Sequence, residues 1–159
     1  MHDQNFTTSF TVDCTPEEAF AAINNVRGWW SEDIKGCTEK AGDIFNYRYK
    51  DMHRTVIKIK ASVPSERVIW NVVDNYFAFT EDEAEWKGTD IVFDISRKGD
   101  RTEVRFTHVG LVPEYECFDV CSDGWTTYIN GSLQSLIKTG KGLPNVGEPM
   151  NESERALAV

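Results

Sequence analysis

Three histidines, four cysteines and an unusual number of aromatic rings carry whatever chemistry this 159-residue chain can perform. His108 is the sharpest candidate. From Arg101 to Val109 the side chains alternate, and Val104, Phe106 and His108 share the inward parity. An imidazole on a core-facing strand can act as a base or donate to a ligand carbonyl, or it can be a core histidine bonded to a buried acceptor. Tyr115 and Glu116 stand where this strand hands over to a helix, close enough in sequence to approach His108. His108 and Glu116 are therefore the candidates for catalytic acid–base work, with helix-start electrostatics as the other explanation of Glu116. His53 begins a strand after Asp51-Met52 and is expected to be exposed at a sheet end. Cys117 and Cys121, one helical turn apart, suit a small buried helix face better than a metal, and no metal site is assigned.

Motifs that would name a reaction are absent. The chain contains no GxxxxGK[ST], HExxH or GxSxG. Gly140-Lys141-Gly142 follows a helix and does not open one, which argues against a phosphate cradle. No cofactor is implied. The aromatic set Tyr47, Trp70, Phe77, Phe79, Trp86, Phe93, Trp125 and Tyr128, joined by Ile129 and His108, reads as the lining of an apolar pocket or as packed core. Gly124 and Gly131 interrupt the helix that carries part of the set, at a cost of roughly 1 kcal/mol each relative to Ala. Such glycines suit close approach of a backbone or a ligand.

These groups matter only where the fold puts them, and the longest element is the run Pro113 to Gly140. At a helical period, Cys117, Cys121, Trp125, Tyr128, Ile129, Ser132, Leu133, Leu136 and Ile137 fall on one side. The apolar face of such a helix needs a sheet to cover it. Phe6 to Val12 alternates as a first strand, and Thr15-Pro16-Glu17-Glu18 has the form of a capping box opening a short helix to about Asn24. Arg27-Gly28-Trp29-Trp30 ends that region, with one tryptophan expected in the core and the other over an edge. Period-two strands follow: Ile44 to Tyr49, Thr55 to Val63, a run through Val68, Trp70 and Val72, then Asp90 to Arg97 and Arg101 to Val109 across the tight turn Lys98-Gly99-Asp100. Asp74 to Gly88 fits no single period and reads as a strand end and loop, with Glu81 to Glu85 as a solvated acidic rim. The class is therefore α+β: a curved antiparallel sheet wrapped around a long C-terminal helix, with short helices after the first strand.

Composition bounds the rest. At 40% apolar residues the chain is globular, and no apolar run approaches a membrane span. A net charge of -9 argues against nucleic acid and anionic membrane surfaces as partners. The N-terminus lacks the marks of a secretory signal, so a cytoplasmic protein with free thiols is expected. One domain is expected over residues 1–142, with a mobile tail at 143–159.

The strings FTTSFTVDCTPEEAFAAI, RGWWSEDI, EWKGTDIVFDI, FTHVGL and DGWTTYINGSLQSLIKTGKG carry a resemblance to the START-like helix-grip (SRPBCC) superfamily, in its activator-of-Hsp90-ATPase homologue branch. The resemblance implies a sheet curled around the C-terminal helix with a cavity between them. It implies a range of roles: binding of lipids, polyketides and other apolar small molecules, cyclase or hydrolase activity, or a co-chaperone domain that stimulates a chaperone ATPase. The leading expectation is a module that holds a small apolar molecule, oriented by His108, Tyr128, Trp70 or Trp86. A chaperone partner and an enzyme using His108 and Glu116 are the alternatives.

Overall fold

The computed structural model describes residues 5–50, 52–78, 86–113 and 118–145. Seven strands form one antiparallel curved sheet: β1 (Phe6–Val12), β2 (Ile34–Gly36), β3 (Ile44–Tyr49), β4 (His53–Val63), β5 (Arg67–Phe77), β6 (Asp90–Lys98) and β7 (Arg101–Val109). Their spatial order is β1-β7-β6-β5-β4-β3-β2, so only the β1–β7 pairing departs from chain order. Two short helices, α1 (Pro16–Asn24) and α2 (Val26–Trp29), lie between β1 and β2. The last helix, α3, is α-helical over Phe118–Thr126, π-helical over Thr127–Leu133 and α-helical again over Gln134–Thr139. The architecture is the expected helix grip.

Local chemistry sets the boundaries. The Thr15 hydroxyl accepts from the Glu18 amide at 3.1 Å while the Glu18 carboxylate accepts from the Thr15 amide at 2.9 Å, so both free donors at the start of α1 are satisfied. Gly140 ends α3 in the left-handed conformation, at a φ of 82°, that side chains with a Cβ avoid. Along β3, β6 and β7 the inward residues alternate with outward ones as the sequence pattern requires.

Four features go beyond or against the sequence reading. β2 is a three-residue edge strand that carries no usable period, held to α2 because the Arg27 guanidinium donates to the Ile34 and Gly36 carbonyls at 3.0 and 2.8 Å. β5 ends at Phe77, inside the segment read as a strand end and loop, but its course is not regular. Its pairing with β4 shifts between Val56 and Ile57, where Val73 is the extra residue of a bulge. The bulge reverses the parity: Val68, Trp70 and Val72 face inward before it, and Asn75 and Phe77 after it. Trp29 and Trp30 are both buried, because α2 is packed between sheet and helix; each stacks against Trp70, at 6.1 and 5.8 Å. Finally, residues 143–145, assigned to the tail, are tied to the domain. The Leu143 amide donates to Ser132 Oγ at 2.7 Å, the Asn145 amide to the Trp30 carbonyl at 2.9 Å, and the Glu32 amide to the Asn145 carbonyl at 3.0 Å. The rest of the expected tail, residues 146–159, lies outside the described residues.

Candidate functional site

His108 lies deep in the sheet-to-helix core, and its surroundings fix its protonation. The Trp125 indole N–H donates to His108 Nδ1 at 3.1 Å, and an indole nitrogen can only donate. Nδ1 therefore holds a lone pair, and the ring proton sits on Nε2, which donates to Thr89 Oγ1 at 2.8 Å. The Thr89 hydroxyl passes its own proton to the Trp86 carbonyl at 2.5 Å. Every polar atom in this chain of bonds is used, and burial pushes the His108 pKa down to about 3. Its geometry is that of a satisfied core histidine with no nitrogen left for a substrate. Glu116, its proposed catalytic partner, lies outside the described residues.

Next to this core is an aromatic pocket at the end of the sheet where β3, β4 and β5 meet the first turns of α3. Tyr47, Phe77, Trp86, Trp125 and Tyr128, all expected as lining residues, face it together. Gly124, singled out for close approach of a backbone or ligand, also lines it, and the residues that sequence reasoning missed are Trp30, Tyr49, Met52, His53, Val120 and Cys121. Trp30 stacks on Tyr47 at 4.2 Å, and Trp86 stacks on Trp125 at 5.5 Å, which gives the pocket two flat walls. Gly124 leaves open space where a Cβ would stand. The other expected lining residues do not reach this pocket: Trp70, Phe93 and Ile129 are packed in the centre, each at most 1% exposed. Phe79 lies outside the described residues. Among the described residues the space under the middle of α3 is therefore filled, and the end toward Gly124 is open. The cavity there measures about 50 Å³. That is small beside the roughly 300–1,000 Å³ of sites for drug-sized ligands.

His53 is the polar group of the pocket, not an exposed residue of a strand end. Its ring is held by Tyr47, Phe77 and Trp86 at centroid distances of 5.1, 4.4 and 4.7 Å. Its Nε2 is 2.9 Å from Asn75 Oδ1. Burial pushes its pKa down to about 3, partly offset by the Asn75 bond, so the ring is neutral at physiological pH. The signal for His53 was faint but real. Its parity matches Thr55, Ile57 and Ile59 on β4, which extends the inward face to the first residue of the strand. The bulge in β5 supplies its partners: with it Asn75 pairs Thr55 and Phe77 pairs His53, whereas an unbroken ladder would turn Asp74 and Tyr76 inward.

On the far side of the pocket Tyr128, in the π-helical stretch, accepts from Asn145 Nδ2 at 3.1 Å. Residues 143–145 thus help fix one lining ring. No metal-binding group of His, Cys, Asp and Glu exists among the described residues, and Cys117 lies outside them. Among the described residues no helix is long and apolar enough to cross a membrane.

Comparisons with known proteins place this geometry in context. A family model described as activator of Hsp90 ATPase homolog 1-like protein matches residues 13–138. No curated protein sequence matches the chain. Among solved structures, the Aha1 dimer from Colwellia psychrerythraea is 24% identical, with a TM-score of 0.70 over 87% of this chain and 98% of that one. DynU16, a protein of the dynemicin biosynthetic locus, is 13% identical with a TM-score of 0.64 over 88% of this chain and 49% of that one. MLL2253 from Mesorhizobium loti is also 13% identical, with a TM-score of 0.64 over 83% and 96%. At these identities the likeness is one of fold.

Proposed function

The chain belongs to the activator of Hsp90 ATPase homolog 1-like family, and from its pocket we propose that it is a binding module for a small, flat, mostly apolar molecule. One observation carries the reading. The sheet and α3 close solidly over most of their length, yet at one end two stacked aromatic pairs, which meet where Trp30 contacts Trp125 at 5.1 Å, leave a small open space beside a glycine. A core selected for packing alone would fill that space, because unfilled volume lowers stability. The cavity volume limits the guest to about one ring unless the wall moves. A fluorescence titration tests this, since Trp30, Trp86 and Trp125 all line the pocket. Single-ring arenes are expected to perturb tryptophan emission and the amide NMR signals around Gly124. In Gly124→Leu, whose side chain enters the open space, both responses are expected to disappear while the fold is retained. An unperturbed spectrum across the arene series would remove the reading.

The family's description favours a second reading, a protein-interaction domain that stimulates a chaperone ATPase. An ATPase assay with the cognate chaperone separates the two: stimulation that persists in Gly124→Leu would assign the role to the outer surface, not to the pocket.

A further inference from the structure

The buried His108 and the half-buried His53 differ in one respect that bears on the occupant. His108 has a partner on each nitrogen. His53 does not. An amide oxygen accepts and cannot donate, so Asn75 Oδ1 takes the proton on His53 Nε2 and leaves the lone pair on Nδ1. Among the described residues no donor reaches Nδ1. The ring cannot swing to find one, because Tyr47, Phe77 and Trp86 pack around it. The same pocket wall holds a second open polar atom: Trp86 is 3% exposed, and its buried indole N–H has no acceptor among the described residues. One acceptor and one buried donor, without partners among the described residues, therefore belong to the side chains of a mostly aromatic pocket wall, where an unmade hydrogen bond favours an occupant with complementary groups. Among the described residues no Lys or Arg lines the cavity, so none of them would compensate the charge of an anion.

We propose that the pocket selects a neutral hydroxylated single-ring arene, whose hydroxyl donates to His53 Nδ1 while Trp86 Nε1–H serves an acceptor atom of the same molecule. This rests on the binding-module reading above and names its ligand class. The aromatic walls hold the ring by stacking, and His53 reads the hydroxyl. A wholly apolar pocket would prefer the methyl analogue, because the hydroxyl loses its hydration on entry. Selection of a phenol over an arene of the same size therefore reports the His53 contact directly.

The test compares phenol, toluene, anisole and benzoate by tryptophan fluorescence on the full chain, with the native protein and His53→Phe. Phenol is expected to bind roughly three- to ten-fold more tightly than toluene, the increment of one neutral hydrogen bond. Anisole, which keeps the acceptor oxygen and loses the donor to His53, should bind more weakly than phenol, and benzoate should not bind. In His53→Phe, checked for folding by circular dichroism, the preference for phenol should vanish. Toluene or anisole matching phenol in the native protein, or a phenol preference that survives in folded His53→Phe, would overturn the proposal. The comparison of phenol with toluene and anisole decides the matter even if the variant does not fold. Arenes bound without hydroxyl preference would sink only this inference, whereas no arene bound at all would sink the binding module with it.

Discussion

At the start of β4, His53 keeps one nitrogen open, while on β7 His108 has both engaged; the two rings pack edge-on against the same indole, Trp86, at 4.7 and 4.8 Å. Both have folded-state pKa values near 3, below the ordinary 6.5, because burial disfavours the charged ring. The unfolded chain therefore binds protons that the folded chain refuses. The stability is full above pH 6.5 and falls as the pH drops from 6.5 toward 3, by about 1.4 kcal/mol per pH unit for each such histidine. His108→Phe separates the two roles of the ring. At neutral pH it should lose roughly 1–3 kcal/mol, since the Trp125 N–H is left without its acceptor. Between pH 6 and 4 its stability should fall less steeply than that of the native chain, by one proton's share. Denaturant unfolding at a series of pH values measures both. An unchanged slope would mean that His108 accepts a proton in the folded state.

α3 joins legible and illegible features in one element. Its inner face, Cys121, Trp125, Tyr128, Ile129, Ser132 and Leu133, follows from a simple amphipathic period. The π-helical stretch within it does not, because the wider turn buries the same residues that an α-helix would and leaves the polar pattern unchanged. The strands divide in the same way. β3, β6 and β7 alternate cleanly and were readable. The far half of β5 was not, because one bulged residue reverses its parity, and the residues so redirected, Asn75 and Phe77, are those that frame His53. The site was therefore least legible where the backbone departs from regularity, and the core most legible where it does not. The helix glycines give a prediction at this scale. A Cβ meets no neighbour at Gly124 or Gly131, so alanine at either should stabilise the protein by up to about 1 kcal/mol through helix propensity. Only Gly124→Ala should also weaken arene binding, because only Gly124 lines the cavity. If Gly131→Ala weakened binding equally, the effect would belong to the helix backbone and not to the space beside it.

Across the whole molecule the helix is gripped from two sides. The sheet covers its inner face, and the chain after Gly140 returns over α2. Gly142 lies so close to Gly28 that a Cβ there would stand 2.1 Å from the Gly28 carbonyl oxygen. Ser132 joins the layers by donating to the Trp29 carbonyl at 2.6 Å and accepting from the Leu143 amide at 2.7 Å. Asn145 then pairs with the Trp30–Glu32 backbone and with Tyr128. Among the described residues, the chain is therefore tied to the domain as far as Asn145, beyond Gly142. The sequence offered no sign of this, since Leu143 to Asn145 has no period and its partners are Ser132 and Tyr128 on α3 and the Trp30–Glu32 backbone more than a hundred residues earlier. A chain ending after Gly142 loses the four hydrogen bonds made by residues 143 and 145. At a net 0.5–1.5 kcal/mol each, it should be about 2–6 kcal/mol less stable than one ending after Asn145. It should also exchange the Glu32 amide proton faster, because that donor loses its acceptor. Equal denaturation midpoints for the two chains would show that this segment rests on the domain without supporting it. Tyr128 would then have to be fixed by the sheet and helix alone.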